Sequence, residues 1–189
     1  MAEIVFIFFV LSFTGWLLET VNESFVRGKF VNKGFFRGPW VPVQGIGGFV
    51  VYFLLNSLRG RPVLVFFAGL ALCTVVEYIT SLFLESCFKV RGWDYRTYPH
   101  TRWCHFQGRI SLTISLVFGA MSLFIVYFYW SFAAALAASL GAWLPFVDIV
   151  LTGLFTADVC YSCARVVRMN RAGIEIKGWN VFSCVEDAE

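Results

Sequence analysis

Two glutamates, Glu77 and Glu85, lie inside an apolar run of residues 63–88 that is long enough to cross a bilayer. A carboxylate at membrane depth is costly unless a partner compensates its charge. At about 100° per residue both glutamates share one helix face with Thr74 and Ser81, and lipid offers this polar stripe no partner. We therefore expect the stripe to face other helices or a wet cavity, with Glu77 as a buried carboxylate for a proton or a cation.

Other acids are placed to join this stripe. Glu19 lies near the end of the first apolar run, Asp94 follows the third run, and the remaining candidates are Glu23, Asp148 and Asp158. One interpretation collects most of these carboxylates in a single acidic cavity that opens to the cytoplasmic side, with Glu19 and Glu85 beside Glu77 and Asp94 as a loop acid. The alternative is that the outer acids pair with arginines and hold the bundle together. The arginines available for this are Arg27, Arg37, Arg91 and Arg109.

A segment rich in glycine and proline, residues 32–48, reads NKGFFRGPWVPVQGIGG. Glycine lets the backbone approach a ligand, and proline is tolerated in the first turn of a helix. Because a helix N-terminus attracts anions, Arg37 and Gly38 are candidates for a turn that faces an anion or phosphate. A tight re-entrant turn whose glycines serve packing explains the segment equally well. Interrupted spans of this kind also mark transport sites.

The segment between the third and fourth apolar runs holds a second group of candidates. Trp93 and Tyr95 suit the headgroup level, where aromatic rings anchor a membrane protein. His105 and His100 have side chains that ligate metals or shuttle protons, although an interfacial histidine is more often simply hydrogen bonded. The pair Cys160 and Cys163 has the C-x-x-C spacing of redox and metal sites. The alternative is that both cysteines are simply small buried residues in a membrane helix.

Composition decides the class of protein. Hydrophobic residues make up 59% of the 189 and charged residues only 14%, and several apolar stretches reach the length of a membrane span. We predict an all-α polytopic membrane protein with about five transmembrane helices, at residues 4–20, 40–58, 63–88, 110–135 and 143–164. The glycine-proline segment forms a re-entrant loop on the cytoplasmic side. Residues 1–164 are then one transmembrane domain, and residues 165–189 are a cytoplasmic tail.

The distribution of basic residues predicts the orientation. The segments after the first, third and fifth spans hold four, five and four Lys or Arg residues, whereas the two opposite loops hold two and none. Because basic loops stay in the cytoplasm, the N-terminus is expected outside and the C-terminus, including Lys177 and Cys184, inside. The first span is preceded by Glu3 rather than by the basic residues of a secretory signal, so we expect it to be kept as a membrane span. The basic residues are explained by topology and membrane lipids and do not indicate nucleic acid.

Several motifs occur in a fixed order along the chain: GW-x-x-E at 15–19, N-x-GF-x-x-GP-x-x-P-x-x-G-x-G at 32–47, Glu77-Tyr78, Glu85, Trp93-Asp94-Tyr95 and Gly108-Arg109-Ile110. In this order they resemble the bacterial membrane family described as "putative ABC-transporter type IV", or CmpB-like. The similarity spans roughly residues 12–120. This chain has Gln44 and the triplet His105-Phe106-Gln107 where members of that family usually carry Tyr and Asn-x-Asn.

The resemblance implies membrane transport, with this chain as a substrate-binding or permease part in the bacterial inner membrane. Because the sequence lacks a G-x-x-x-x-G-K-[ST] motif, a separate nucleotide-binding subunit is expected on the cytoplasmic loops, together with a homodimer or a partner membrane protein. The implied substrate-binding residues include Gln44, Trp93, His105, Gln107 and Arg109. The competing class is an intramembrane enzyme that holds Mg²⁺ and acts on a lipid or phosphorylated substrate. A scaffold is the third interpretation.

Overall fold

The computed structural model describes residues 2–89, 91–98 and 101–172. Most of that part of the chain is helical, which confirms the predicted all-α membrane class. Predictions that concern His100, Lys177 and Cys184 lie outside the described residues. The helices are α1 (Ala2–Arg27), α2 (Pro42–Leu55), α3 (Pro62–Phe88), α4 (Leu112–Phe124), α5 (Trp130–Leu140) and α6 (Leu144–Arg171), and a hairpin of β1 (His105–Phe106) and β2 (Ile110–Ser111) precedes α4.

Three helical stretches of the described chain are long and apolar enough to cross a membrane, namely Ala2–Phe25, Pro62–Phe88 and Leu112–Met169. The last stretch contains α4, α5 and α6, and it is interrupted at Gly141, whose φ of 51° favours glycine. Helix α2 has only 14 residues, or about 21 Å of rise, and starts at Pro42 because proline suits the first turn. Helix α6 continues past the predicted span end at residue 164 to Arg171.

Small residues bring neighbouring helices close together. Gly48 of α2 faces Leu11 of α1, where a Cβ on the glycine would come within 2.8 Å of Leu11 Cδ1. On the other side of the bundle the Thr74 hydroxyl of α3 donates to Ser115 Oγ of α4 at 2.7 Å. Helices in lipid associate through this kind of close packing and interhelical hydrogen bonding, because lipid tails are as apolar as leucine.

The chain between α1 and α2, residues 28–41, has no regular secondary structure and folds back along α1. The Lys33 amide donates to Thr20 Oγ1 at 3.1 Å, and the Val41 amide donates to the Ser12 carbonyl at 3.1 Å. Since Ser12 lies near the middle of α1, α2 begins well inside the bundle rather than at its end.

The segment that follows α3 packs at the same end of the bundle as residues 28–41. We call this end, where α1, α3 and α6 finish and α4 begins, the loop end. Three residues connect the paired strand ends Phe106 and Ile110 of its hairpin. The first two, Gln107 and Gly108, have φ values of 54° and 69°, and they form a tight turn that the Arg109 amide closes by donating to the Phe106 carbonyl at 3.0 Å. The buried cluster that joins the loop-end segments to the helices contains Phe35, Leu84, Trp93, Val166 and Met169.

Candidate functional site

A cavity of about 500 Å³ lies among α1, α2, α3 and α4 and is closed at the loop end by residues that follow α3. This volume is within the range of small-molecule sites in proteins. The wall is mainly polar near the loop end and mainly apolar toward the middle of the bundle. Its polar residues include Glu19, Glu23, Lys33, Gln44, Glu77 and Tyr95, and its apolar residues include Leu11, Val117, Met121, Phe124 and Ile125.

Glu77 is a buried acid in the wall of the cavity. Its position on α3 leaves the residue only 7% exposed, although it carries a carboxyl group. The Tyr95 hydroxyl donates a hydrogen bond of 2.5 Å to Glu77 Oε1. Within the described part of the chain, the buried Oε2 atom has no hydrogen-bond partner. One carboxyl oxygen is therefore held by the protein, and the other is left for something else to contact.

Tyr95 reaches Glu77 because its backbone is fixed on both sides. Its amide donates to the Gly108 carbonyl at 2.9 Å, and its carbonyl accepts from Thr101 Oγ1 at 2.8 Å. Burial and the adjacent Glu77 carboxylate raise the pKa of the Tyr95 hydroxyl above its ordinary value, so the phenol remains a proton donor at neutral pH. The β-hairpin turn thus places the donor that orients Glu77.

Glu19 enters the cavity from α1, opposite Glu77. Gln44 of α2 donates from Nε2 to Glu19 Oε1 at 3.0 Å. The two helices can approach here because residue 15 is glycine, and a side chain at Gly15 would overlap the stem of Gln44. The early start of α2 inside the bundle therefore supplies an amide donor to a second buried acid.

An ion pair closes the loop end of the cavity. Lys33 Nζ lies 3.1 Å from Glu23 Oε2, and both side chains are mostly buried. The Tyr98 hydroxyl lies 3.5 Å from the same ammonium group. Trp93 forms part of the adjoining wall, is 8% exposed, and donates from Nε1 to the Arg109 carbonyl at 2.7 Å.

Three predicted site residues, Glu85, Arg109 and Asp94, lie away from the cavity in two ion-paired groups. Arg109 pairs with Glu85 and also donates to Ser81 Oγ at 3.1 Å, and the Glu85 side chain is 43% exposed. This pair matches the alternative interpretation, in which the outer acids pair with arginines and hold the bundle together. Asp94 accepts from Arg96 Nε at 2.9 and 3.0 Å, and these hydrogen bonds to Arg96 hold the pKa of Asp94 below its ordinary value. His105 and Gln107 lie on the outer hairpin, where Gln107 Oε1 accepts from the Tyr78 hydroxyl at 3.2 Å.

The predicted anion-facing turn at Arg37 and Gly38 holds a carboxylate of the chain itself. The Gly38 amide donates to Asp158 Oδ2 at 2.7 Å, and the Arg37 amide donates to Asp158 Oδ1 at 3.1 Å. The Asp158 Oδ1 atom also accepts from Ser162 Oγ at 2.9 Å. The turn therefore faces an anion, and that anion comes from α6.

Sequence reasoning missed the role of three residues in the cavity. It left open whether Tyr95 belongs only to an aromatic belt, it attributed Lys33 to the topological charge bias, and it did not consider Asn22, which also lines the cavity. The Trp93-Asp94-Tyr95 motif was the available signal for Tyr95. Among the residues that the structure describes, no three His, Cys, Asp or Glu side chains form a group that could hold a metal ion.

Comparison with known proteins gives one result that covers most of the chain. The family model described as "Putative ABC-transporter type IV" matches residues 6–163, which confirms the resemblance seen in the motifs. Searches of curated proteins and of solved structures return no match. The match includes every helix that lines the cavity. The chain therefore belongs to the family described as putative ABC-transporter type IV.

Proposed function

We propose that this chain is the membrane-embedded, ligand-binding component of a transport system and that the cavity among α1–α4 is its binding site. The observation that carries the proposal is Glu77, a buried acid that has one carboxyl oxygen without a partner and lines a cavity of about 500 Å³. An unsatisfied carboxylate inside a membrane protein is expensive, and such residues mark ion and substrate pathways. Glu19 and Gln44 supply further polar groups on the opposite wall.

The proposed topology has five spans, with the N-terminus outside and the C-terminus in the cytoplasm of a bacterial cell, across its inner membrane. Residues 28–41 would then enter the bundle from the cytoplasmic side as the re-entrant loop, and α2 would continue from this loop as a half-helix toward the opposite side. The start of α2 at the level of Ser12 supports this, because discontinuous helices form the substrate sites of many transporters. The basic residues of the loop end would face the cytoplasm, and Arg59 and Arg61 the opposite side.

Energy for transport would come from another protein. Membership of an ABC-transporter family and the lack of a phosphate-binding loop motif support a separate nucleotide-binding subunit that docks on the loop end. A second copy of this chain, or a partner membrane protein, would complete the pathway, since five spans enclose little space.

The alternative function is a metal-dependent enzyme that acts on a lipid or phosphorylated substrate at the cytoplasmic interface. Such an enzyme needs several oxygen ligands converging on Mg²⁺. In the described residues Asp94 and Glu85 are instead bound to Arg96 and Arg109, outside the cavity. The geometry therefore supports ligand binding better. Mg²⁺-dependent turnover of lipid in micelles would favour the enzyme.

Native mass spectrometry in mild detergent tests the proposal. We expect the wild-type protein to retain a small molecule, Glu77→Gln to lose it, and Glu85→Gln, whose acid lies outside the cavity, to retain it. Because the carboxamide has the same size as the carboxyl group, folding of the variant should be little affected. Equal retention by all three proteins, or an empty wild-type protein from its native membrane, would contradict the proposal.

A further inference from the structure

We propose that the occupant of the cavity is a single-chain amphiphile with an amine headgroup and that it enters from the surrounding lipid between α1 and α4. This inference rests on the proposed function, since it names the class of ligand for the same site. Three features of the wall lead to it: where the cavity opens, which charges it holds, and how its polarity changes with depth.

The cavity, which is closed at the loop end, opens sideways between α1 and α4. Helices α1 and α4 pack against α2 and α3 but make no extensive contact with each other in the described chain. Lining residues on both sides of this gap are also strongly exposed, with Leu18 at 55%, Val117 at 50% and Phe124 at 47%. These apolar side chains would meet lipid in a membrane. A ligand that partitions into lipid can therefore reach the cavity without crossing water.

The charge of the wall selects a cationic headgroup. Among the described residues that line the cavity, Glu19, Glu23 and Glu77 are acidic, and Lys33 is the basic one. Lys33 is paired with Glu23 at 3.1 Å, and within the described residues neither Glu19 nor Glu77 has a salt-bridge partner. An anionic headgroup would add a like charge beside these acids, whereas an amine donates to the partnerless Glu77 Oε2.

The polarity of the wall matches the orientation of an amphiphile in one leaflet. The acids and Tyr95 lie toward the loop end, and the wall becomes apolar along α4 as far as Phe124. From Thr113 to Phe124 this helix rises roughly 16 Å at about 1.5 Å per residue. At about 30 Å³ for each water-sized group, the cavity holds about 16 such groups, which suits a headgroup and one chain.

Protection of Cys73 from N-ethylmaleimide tests this inference in phosphatidylcholine nanodiscs. Cys73 lines the cavity, and Cys87 is exposed on the same helix away from it, so the second thiol is an internal reference. The probes are dodecylamine, ethylamine and dodecyl sulfate, with modification of each thiol followed by peptide mass spectrometry. At ten times its Kd, dodecylamine should slow the modification of Cys73 about tenfold and leave Cys87 unchanged. The other two probes should not protect.

Two pairs of variants examine the headgroup and the route of entry. Glu77→Gln should lose protection by dodecylamine, and Glu85→Gln should keep it. Val117→Trp places a larger side chain on the α4 side of the gap and should reduce the protection of Cys73 by dodecylamine. If this variant folds poorly, Leu18→Trp narrows the same gap from the α1 side.

Other outcomes overturn the inference in ways that separate it from the proposed function. Equal protection by ethylamine would mean that the cavity binds a soluble cation, so the amphiphile would be wrong while ligand binding stands. Equal or better protection by dodecyl sulfate would refute the amine headgroup. No protection by any probe would reject the amphiphilic amine as the ligand of the cavity. The proposed function would still be supported if native mass spectrometry found a molecule that the wild type retains and Glu77→Gln does not.

Discussion

The hydrogen bond between Tyr95 and Glu77 can be tested by removing each partner separately and then both. Tyr95→Phe leaves both oxygens of a buried carboxyl group without a donor, since Oε2 already lacks one. Hydrogen bonds to charged groups contribute about 1.5–3 kcal/mol in soluble proteins, whereas polar pairs in membrane proteins average about 0.6 and reach about 1.7. The bond here is short and its acceptor is deeply buried. We therefore expect Tyr95→Phe to lower the free energy of unfolding by about 1–2 kcal/mol.

Glu77→Met completes the cycle by replacing the acid with an apolar side chain of similar length. On its own it leaves the Tyr95 hydroxyl without a partner, but in the double variant neither polar group is stranded, so the two losses should not add. The measurement is unfolding in mixed micelles of mild detergent and dodecyl sulfate, followed by tryptophan fluorescence. Tyr78→Phe, which removes an exposed hydroxyl of α3, is the matched control. Losses that add to within about 0.5 kcal/mol would refute the coupling.

Three further predictions concern neighbouring contacts. Gln44→Leu should weaken retention of the cavity ligand about tenfold, because Glu19 loses the donor that orients it, and native mass spectrometry measures this. Asp158→Leu removes the acceptor of two loop amides, which should lower the free energy of unfolding by about 1–3 kcal/mol and lower the thermal midpoint accordingly. Asp158→Asn keeps one acceptor oxygen, so its thermal midpoint should fall less. Because the pKa of Asp94 is lowered in the folded protein, the Arg96 contact stabilises the fold above the ordinary value of 3.8 and is lost as pH falls through the lowered pKa. Thermal midpoints below that pH should converge for the wild type and Asp94→Asn, and a constant difference would contradict the assignment.

The positions of the deep acids could be predicted from sequence because helix periodicity alone determines them. Thr74, Glu77 and Ser81 share one face of α3, and that face lies against α4 and the loop end. The same reasoning extended to Glu85 one turn further, where the helix leaves the bundle and Arg109 pairs with the side chain. A polar stripe predicts which face of the helix turns toward the protein interior, but it does not predict where along the helix that interior ends.

The partners of these acids could not be predicted, because they come from distant segments whose placement depends on turns. Tyr95 reaches Glu77 only after the chain bends at Gly108, whose carbonyl holds the Tyr95 amide. Asp158 meets the Gly38 amide across 120 residues. The sequence predicted an anion at that turn, but the backbone amides of a turn bind a carboxylate from the same chain as readily as one from a ligand.

Asp158 also supplies hydrogen-bond acceptors to the part of residues 28–41 that leads into the bundle. Backbone groups at membrane depth must be satisfied by protein, since lipid cannot pair with them. The amides of Arg37 and Gly38 use Asp158, the Val41 amide uses the Ser12 carbonyl, and the Arg37 carbonyl accepts from Asn32 Nδ2 at 2.9 Å. The segment is thus tied to α1 and α6 by contacts that leave Glu19 and Glu77 untouched. Its function is to start α2 deep in the bundle, which brings Gln44 to Glu19 and leaves open the space that the cavity occupies.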